Sequence, residues 1–142
     1  MTVIAYRDGV MAADRMVWQG DLRIANGATK INRLPDGSLV GCCGSRPVIA
    51  EVMAWLNGGE KPARELKDGD FGALIVRPCG RVERLEDEML IYPACPADFY
   101  TMGSHGELLF GAMAAGASAP EAVRIAIRFG QYAGGDVQVE RL

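Results

Sequence analysis

A chain of 142 residues, 49% hydrophobic and 23% charged, is long enough to bury a core and ordinary in its balance. Its net charge of −3 excludes the basic footprint of a nucleic-acid or anionic-membrane partner. The single histidine, and four cysteines (Cys42, Cys43, Cys79, Cys95) without a C-x-x-C pair, exclude a zinc-ligand pattern, so no metal or cofactor is expected. Adjacent Cys42 and Cys43 do not suit disulfide geometry, and a reduced, cytoplasmic setting is expected. The first residues lack the basic-then-apolar pattern of a signal peptide. The apolar stretch at 108–117 is too short to span a bilayer.

In chain order, Thr2 to Arg7 and Val10 to Asp14 read as two largely apolar strands around an Asp8-Gly9 turn, as expected if both faces are covered. A polar loop around Asp21 and Asn26 follows. Thr29–Leu34 and Ser38–Cys43 form a second hairpin around Pro35-Asp36-Gly37, with Lys30, Asn32 and Leu34 on one strand face. Gly44-Ser45-Arg46-Pro47 opens a helix that carries Ile49, Val52, Met53 and Leu56 at helical spacing and ends at Gly58-Gly59.

Residues 60–70 are charged and read as loop, with room for one helical turn. Phe71–Val76 and Arg81–Leu85 make a third hairpin, followed by short strands at 89–91 and 99–102. Glu86, Asp87 and Glu88 read as a solvated loop. Ser104-x-x-Glu107 and Ser118-x-x-Glu121 match the capping box and start two helices, and Asp136–Glu140 closes the chain as a strand. No repeat, low-complexity tract or linker divides residues 1–142, which predict one domain. Hairpins dominate and the helices stand apart from them, so the class is α+β with layered, mainly antiparallel sheets.

Thr2 carries the chemistry of greatest interest. With Met1 removed it presents a hydroxyl and an α-amine on one residue, a nucleophile with its own base. The amine's unperturbed pKa of roughly 7.7–8 leaves much of it unprotonated near neutral pH. Other candidates are weaker. His105 is adjacent to Ser104, and neighbours along a helix do not face each other, so it reads as a helix-start surface residue. Cys42 and Cys43 read as buried small hydrophobes.

The order and spacing of several short stretches resemble the proteasome β-subunit family, and most closely its HslV-type peptidases. These are the opening Thr2-Val-Ile-Ala-Tyr, Met-Ala-Ala-Asp14, Thr29-Lys30-Ile31, Val40-Gly-Cys-Cys-Gly44, Gly103-Ser104 and Gly134-Gly-Asp-Val137. The resemblance implies an N-terminal nucleophile hydrolase with a four-layer α-β-β-α sandwich and a shortened helical layer, residues 60–70 standing for a helix. It implies Thr2 as nucleophile, Lys30 beside it, Asp14 paired with Lys30, and Ser104 near the amine. It further implies an oxyanion hole from the Cys43-Gly44 backbone and a substrate pocket bordered by Gly41 and Ser45.

The expected activity is a threonine peptidase, assembled as a homo-oligomeric ring that takes polypeptide, with a possible ATP-dependent unfoldase. The alternatives are an inactive assembly subunit and a small-molecule amidase of the same fold. The sequence departs from the resemblance at His105, where glycine is usual, at Gly130-Gln131, where proteasomal subunits carry an aspartate, and at Ala133, where serine is common.

Overall fold

The computed structural model describes residues 1–67 and 69–142. Two strands, β1 (Val3–Arg7) and β2 (Val10–Asp14), form the opening hairpin. Asp8 and Gly9 both take positive φ, 49° and 76°, the geometry a two-residue turn needs to match strand twist.

Where a loop was expected, β3 (Met16–Gln19) and β4 (Leu22–Asn26) pair as a separate two-stranded hairpin with an irregularity at Val17/Trp18. Every residue of β4 is exposed, so no buried alternation marks it as a strand in the sequence. A second sheet contains β5 (Ile31–Arg33), β6 (Leu39–Gly44), β7 (Phe71–Val76), β8 (Val82–Leu85) and β9 (Ile91–Pro93), in that order and antiparallel throughout. Thr29, Lys30 and Leu34 lie outside regular strand, and β9 starts two residues later than expected, after Met89 turns the chain at φ 55°.

The first sheet is completed by β10 (Phe99–Gly103) beside β1 and β11 (Val137–Arg141) beside β2, giving the order β10-β1-β2-β11. The helices are α1 (Arg46–Leu56), α2 (Gly106–Ala114) and α3 (Ala119–Phe129). Residues 60–67 and 69–70 contain no helix, and one hydrogen bond, from the Asp70 N–H to the Lys67 carbonyl, closes a single turn at their end.

Strand alternation divides the core three ways. Val3, Ala5 and Ala12 face Leu109 and Met113 of α2 and Ala122, Val123 and Ala126 of α3. Ile4, Tyr6, Met11 and Ala13 face the second sheet at Leu39, Leu74 and Val76. Val40, Cys42, Ala73 and Ile75 on the second sheet's other face meet Val48 and Val52 of α1. Both faces of β1, β2, β6 and β7 are therefore covered, which is why these strands read as continuous apolar runs.

Two helix starts behave differently. Ser118 caps α3 with the full box: its hydroxyl accepts the Glu121 N–H, and the Glu121 carboxylate accepts the Ser118 N–H. The expected box at Ser104 does not form. His105 occupies the cap position of α2 in the left-handed region, φ 57°, without a side-chain cap bond. The chain leaves β10 through Gly103 at φ 89° and must turn sharply, so Ser104 falls one residue short of the helix.

Candidate active site

Thr2 lies immediately before β1 and is 8% exposed. Its carbonyl accepts the Ser104 N–H at 2.7 Å, which joins it to the end of β10. Gly103 makes that approach possible, because a Cβ there would come within 2.1 Å of the Thr2 carbonyl oxygen.

Asp14, fully buried at the end of β2, is the hub beneath Thr2. One carboxylate oxygen accepts the Val3 N–H at 3.0 Å and the Lys30 ammonium at 2.8 Å. The other accepts the Gly134 N–H at 3.2 Å. A buried carboxylate needs such partners, since desolvation of an unpaired charge is severe.

Lys30 is held at both ends. Its backbone N–H donates to the Gln138 side-chain carbonyl at 2.8 Å, and its carbonyl accepts the Cys42 N–H at 3.2 Å. Its ammonium also donates to the Met1 carbonyl at 3.2 Å. Burial pulls the Lys30 pKa below its usual value, and the Asp14 charge and hydrogen bond oppose that shift. Gln138, missed in the sequence, is an amide within the last strand whose side chain bonds both N–H and C=O of Ile31.

A cleft of about 430 Å³ opens beside Thr2 and Lys30. Met16, Val17 and Trp18 of β3 form one wall, and Ile49, Ala50 and Met53 of α1 form the other. Cys42, Gly44, Ser45 and Arg46 also line it. Cys42 packs its sulfur 3.9 Å from that of Met53. Burial pushes the Cys42 thiol up to about 12 and the Cys43 thiol up to about 11, so neither is a ready nucleophile.

The expected site residues fall into two groups. The structure gathers Thr2, Asp14 and Lys30, and it sets Gly44 and Ser45 along the same cleft. Gly41 lies away from the cleft: a Cβ there would meet Ile4 and Met11 at 3.0 Å, inside the inter-sheet core. The Cys42 N–H donates to the Lys30 carbonyl, and of the Cys43-Gly44 pair it is Gly44 that lines the cleft while Cys43 does not.

Gly44 takes φ 126°, and a Cβ would clash with the Asp70 carbonyl at 2.3 Å, so the backbone there is restricted to glycine. Ser45 is the N-cap of α1, with no side-chain cap bond. Ser104 meets Thr2 through its backbone; among the described residues its hydroxyl makes no side-chain hydrogen bond. Among the described residues no His/Cys/Asp/Glu group is arranged to hold a metal.

Two expectations outside this group are corrected. His105 is half-buried rather than a surface residue: its Nε2 accepts the Tyr132 N–H at 3.0 Å, and the two rings stack. Asp87 is a clamp rather than a solvated loop residue, accepting the N–H groups of Gly69 at 2.6 Å and Phe71 at 2.8 Å.

Comparison with solved structures finds the same architecture over nearly the whole chain. Thiobacillus denitrificans BPH in complex with epoxomicin matches with a TM-score of 0.75 at 19% identity, covering 99% of this chain and 97% of that one. A second structure of Thiobacillus denitrificans BPH matches with a TM-score of 0.73 at 20% identity, covering 99% and 96%. Eukaryotic HslV from Trypanosoma brucei matches with a TM-score of 0.72 at 16% identity, covering 99% and 98%. The chain has the N-terminal nucleophile hydrolase fold of HslV-type peptidases. No protein-family model matches the chain, and no curated protein matches it. Among the described residues of this HslV-type fold, no helix is long and apolar enough to cross a membrane.

Proposed function

We propose that this chain is a threonine peptidase that cleaves peptide bonds through an acyl-enzyme on Thr2, once the residue before Thr2 is removed. One observation carries the reading: the ion pair of Lys30 with fully buried Asp14 ends beside Thr2 at the mouth of an apolar-walled cleft. A desolvated lysine held by a single carboxylate is poorly explained by surface solubility, because burying both charges costs several kcal/mol per ion before pairing.

In the proposed reaction, the freed Thr2 α-amine takes the hydroxyl proton as the oxygen attacks the substrate carbonyl. Lys30 supplies positive charge at the attacking oxygen, and Asp14 keeps it charged and oriented. The Gly44 amide, at the start of α1, stabilises the oxyanion, a contribution of about 3 kcal/mol for such donors. The Thr2 α-ammonium then gives that proton to the leaving nitrogen as the C–N bond breaks and the Thr2 ester forms, and water hydrolyses the ester to release the acyl product and the free hydroxyl. Ser104 supports the relay from the turn after β10.

The three core clusters support a four-layer α-β-β-α order within one domain over residues 1–142. By likeness of fold, the proposal includes a homo-oligomeric ring, polypeptide substrate and an ATP-dependent unfoldase in the cytoplasm.

A second reading has one observation in its favour. With Met1 present, the Met1 carbonyl takes a hydrogen bond from the Lys30 ammonium, and the Thr2 nitrogen is an amide, which cannot act as base. A chain that keeps Met1 is an inactive assembly subunit. Intact-mass analysis of protein from its natural host separates the two. If Met1 is absent, epoxomicin or a β-lactone is expected to label Thr2, and Thr2→Ala to abolish the labelling. Labelling that survives Thr2→Ala moves the nucleophile elsewhere.

A further inference from the structure

We infer that His105 is a positioning residue whose neutral imidazole anchors the segment that orients Asp14, so that its protonation loosens the Asp14–Lys30 pair. The inference rests on the peptidase reading for its effect on catalysis, but not for the anchor itself.

The geometry assigns the tautomer. The Tyr132 backbone can only donate, so the Nε2 that accepts its N–H at 3.0 Å carries no proton, and the ring proton sits on Nδ1. Protonation of the ring turns Nε2 into a donor. Two donors then face each other, and the half-buried Tyr132 N–H loses its partner.

The fit around the ring is close. Gly130 leaves room for it: a Cβ there would lie 2.8 Å from His105 Cδ2. Tyr132 stacks on the imidazole with centroids 6.1 Å apart and an 18° interplanar angle. The left-handed backbone of His105, a conformation histidine tolerates better than most residues, aims the ring at this segment rather than along α2.

Two residues beyond Tyr132, the Gly134 N–H donates to the Asp14 oxygen that Lys30 does not use. The far side of the segment is tied down separately, by the Met16 N–H on the Gly134 carbonyl and by the Asp136–Asn26 hydrogen bonds. On the side nearest α3, His105 supplies the polar hold, beside the apolar ones of fully buried Ala133 in the α2–α3 cluster and of Trp18 against the Tyr132 ring. The groups facing the imidazole are Tyr132 and the Gly130 backbone. Of the charged residues on the two helices that meet here, Glu107 on α2 and Arg124 on α3 are exposed, Glu121 is engaged in the Ser118 cap at the start of α3, and Arg128 lies over the Phe129 ring. Among the described residues no carboxylate pairs with His105.

The decisive comparison uses the full chain as wild type, His105→Gln and His105→Phe, from about pH 8 down to about pH 5. Glutamine offers an acceptor where Nε2 sits and does not titrate. Phenylalanine offers none and does not titrate either. At about pH 8 His105→Phe is expected to slow Thr2 labelling by a β-lactone about tenfold, with His105→Gln restoring most of that loss. On acidification labelling slows in every variant as the Thr2 α-amine is protonated, whereas hydrogen-exchange protection at the Tyr132 and Gly134 amides is expected to fall in the wild type and to persist in His105→Gln.

Equal acid dependence of that amide protection in wild type and His105→Gln overturns the inference, as does a wild-type labelling rate in His105→Phe at about pH 8. If no variant is labelled at any pH, the peptidase reading fails and amide protection decides the anchor alone. Selective acid opening in wild type then supports it, and equal opening overturns it.

Discussion

The floor of the cleft and its β3–β4 wall are neighbours built on opposite principles. The floor is Asp14 and Lys30, with every buried polar atom assigned: the two Asp14 oxygens accept three donors, and the Lys30 ammonium meets two acceptors. The wall is a free-standing hairpin with Leu22 and Ile24 exposed and an irregular register at Val17/Trp18. It is held by the Trp18–Tyr132 ring contact, the Arg23 guanidinium over Trp18, and the Asn26–Asp136 bonds. The contrast teaches where precision is required. A desolvated charge pair is stable in only one geometry, whereas an apolar wall can shift with its substrate at little cost.

Substitutions at four positions test this contrast. Asp14→Ala is expected to have the largest effect. It strands the Lys30 ammonium in a buried site and frees two backbone N–H groups, costing about 3–5 kcal/mol in urea denaturation. Asp14→Asn, which keeps an acceptor oxygen, should cost less. Equal losses would mean that the retained acceptor oxygen contributes nothing and that the charge, which both variants remove, accounts for the whole effect.

The next expectation concerns pH. Burial lowers the Lys30 pKa, so below the ordinary lysine value of 10.5 the folded chain binds fewer protons there than the unfolded chain. Stability contributed by this site therefore rises as pH climbs from the lowered value to 10.5 and is lost as pH falls through that window. Lys30→Met should remove this rise, read as a flatter dependence of unfolding free energy on alkaline pH. An unchanged slope would show the ammonium to be solvated.

The wall should respond least. Trp18→Ala is expected to cost about 1 kcal/mol, the scale of one aromatic contact with one cation–π contact, and to raise KM more than it lowers kcat. Leu22→Ser should stay within about 0.5 kcal/mol by thermal unfolding. A large loss at Leu22 would show that the hairpin face is covered in solution.

Much of the frame was legible residue by residue. Continuous apolar runs at 3–6 and 71–76 marked strands covered on both faces, Asp8-Gly9 marked a two-residue turn, and Ser118-x-x-Glu121 marked a helix start. The hairpin at 16–26 was not legible, because strands exposed on both sides carry no period-two burial signal. The box at Ser104 matched in letters and failed in space, because a left-handed residue intervenes between Gly103 and α2. At the site, Thr2 could be named from its own chemistry, and Asp14 and Lys30 from the family resemblance, but Gln138 and Tyr132 act through a side-chain amide and a backbone N–H more than 100 and 27 residues from their partners. No local pattern encodes such pairings.

By itself the sequence determined which segments could be strands and helices, and which residues carried nucleophilic or charged groups, since those follow from side-chain chemistry and short-range periodicity. Only the tertiary structure decided that Lys30 would be desolvated, that Gly44 and not Gly41 would turn to the cleft, and that His105 would meet Gly130 and Tyr132. Each of those depends on which strand ends and turns are brought within hydrogen-bonding distance, and that distance is set by the packing of two sheets and three helices rather than by neighbours in the chain.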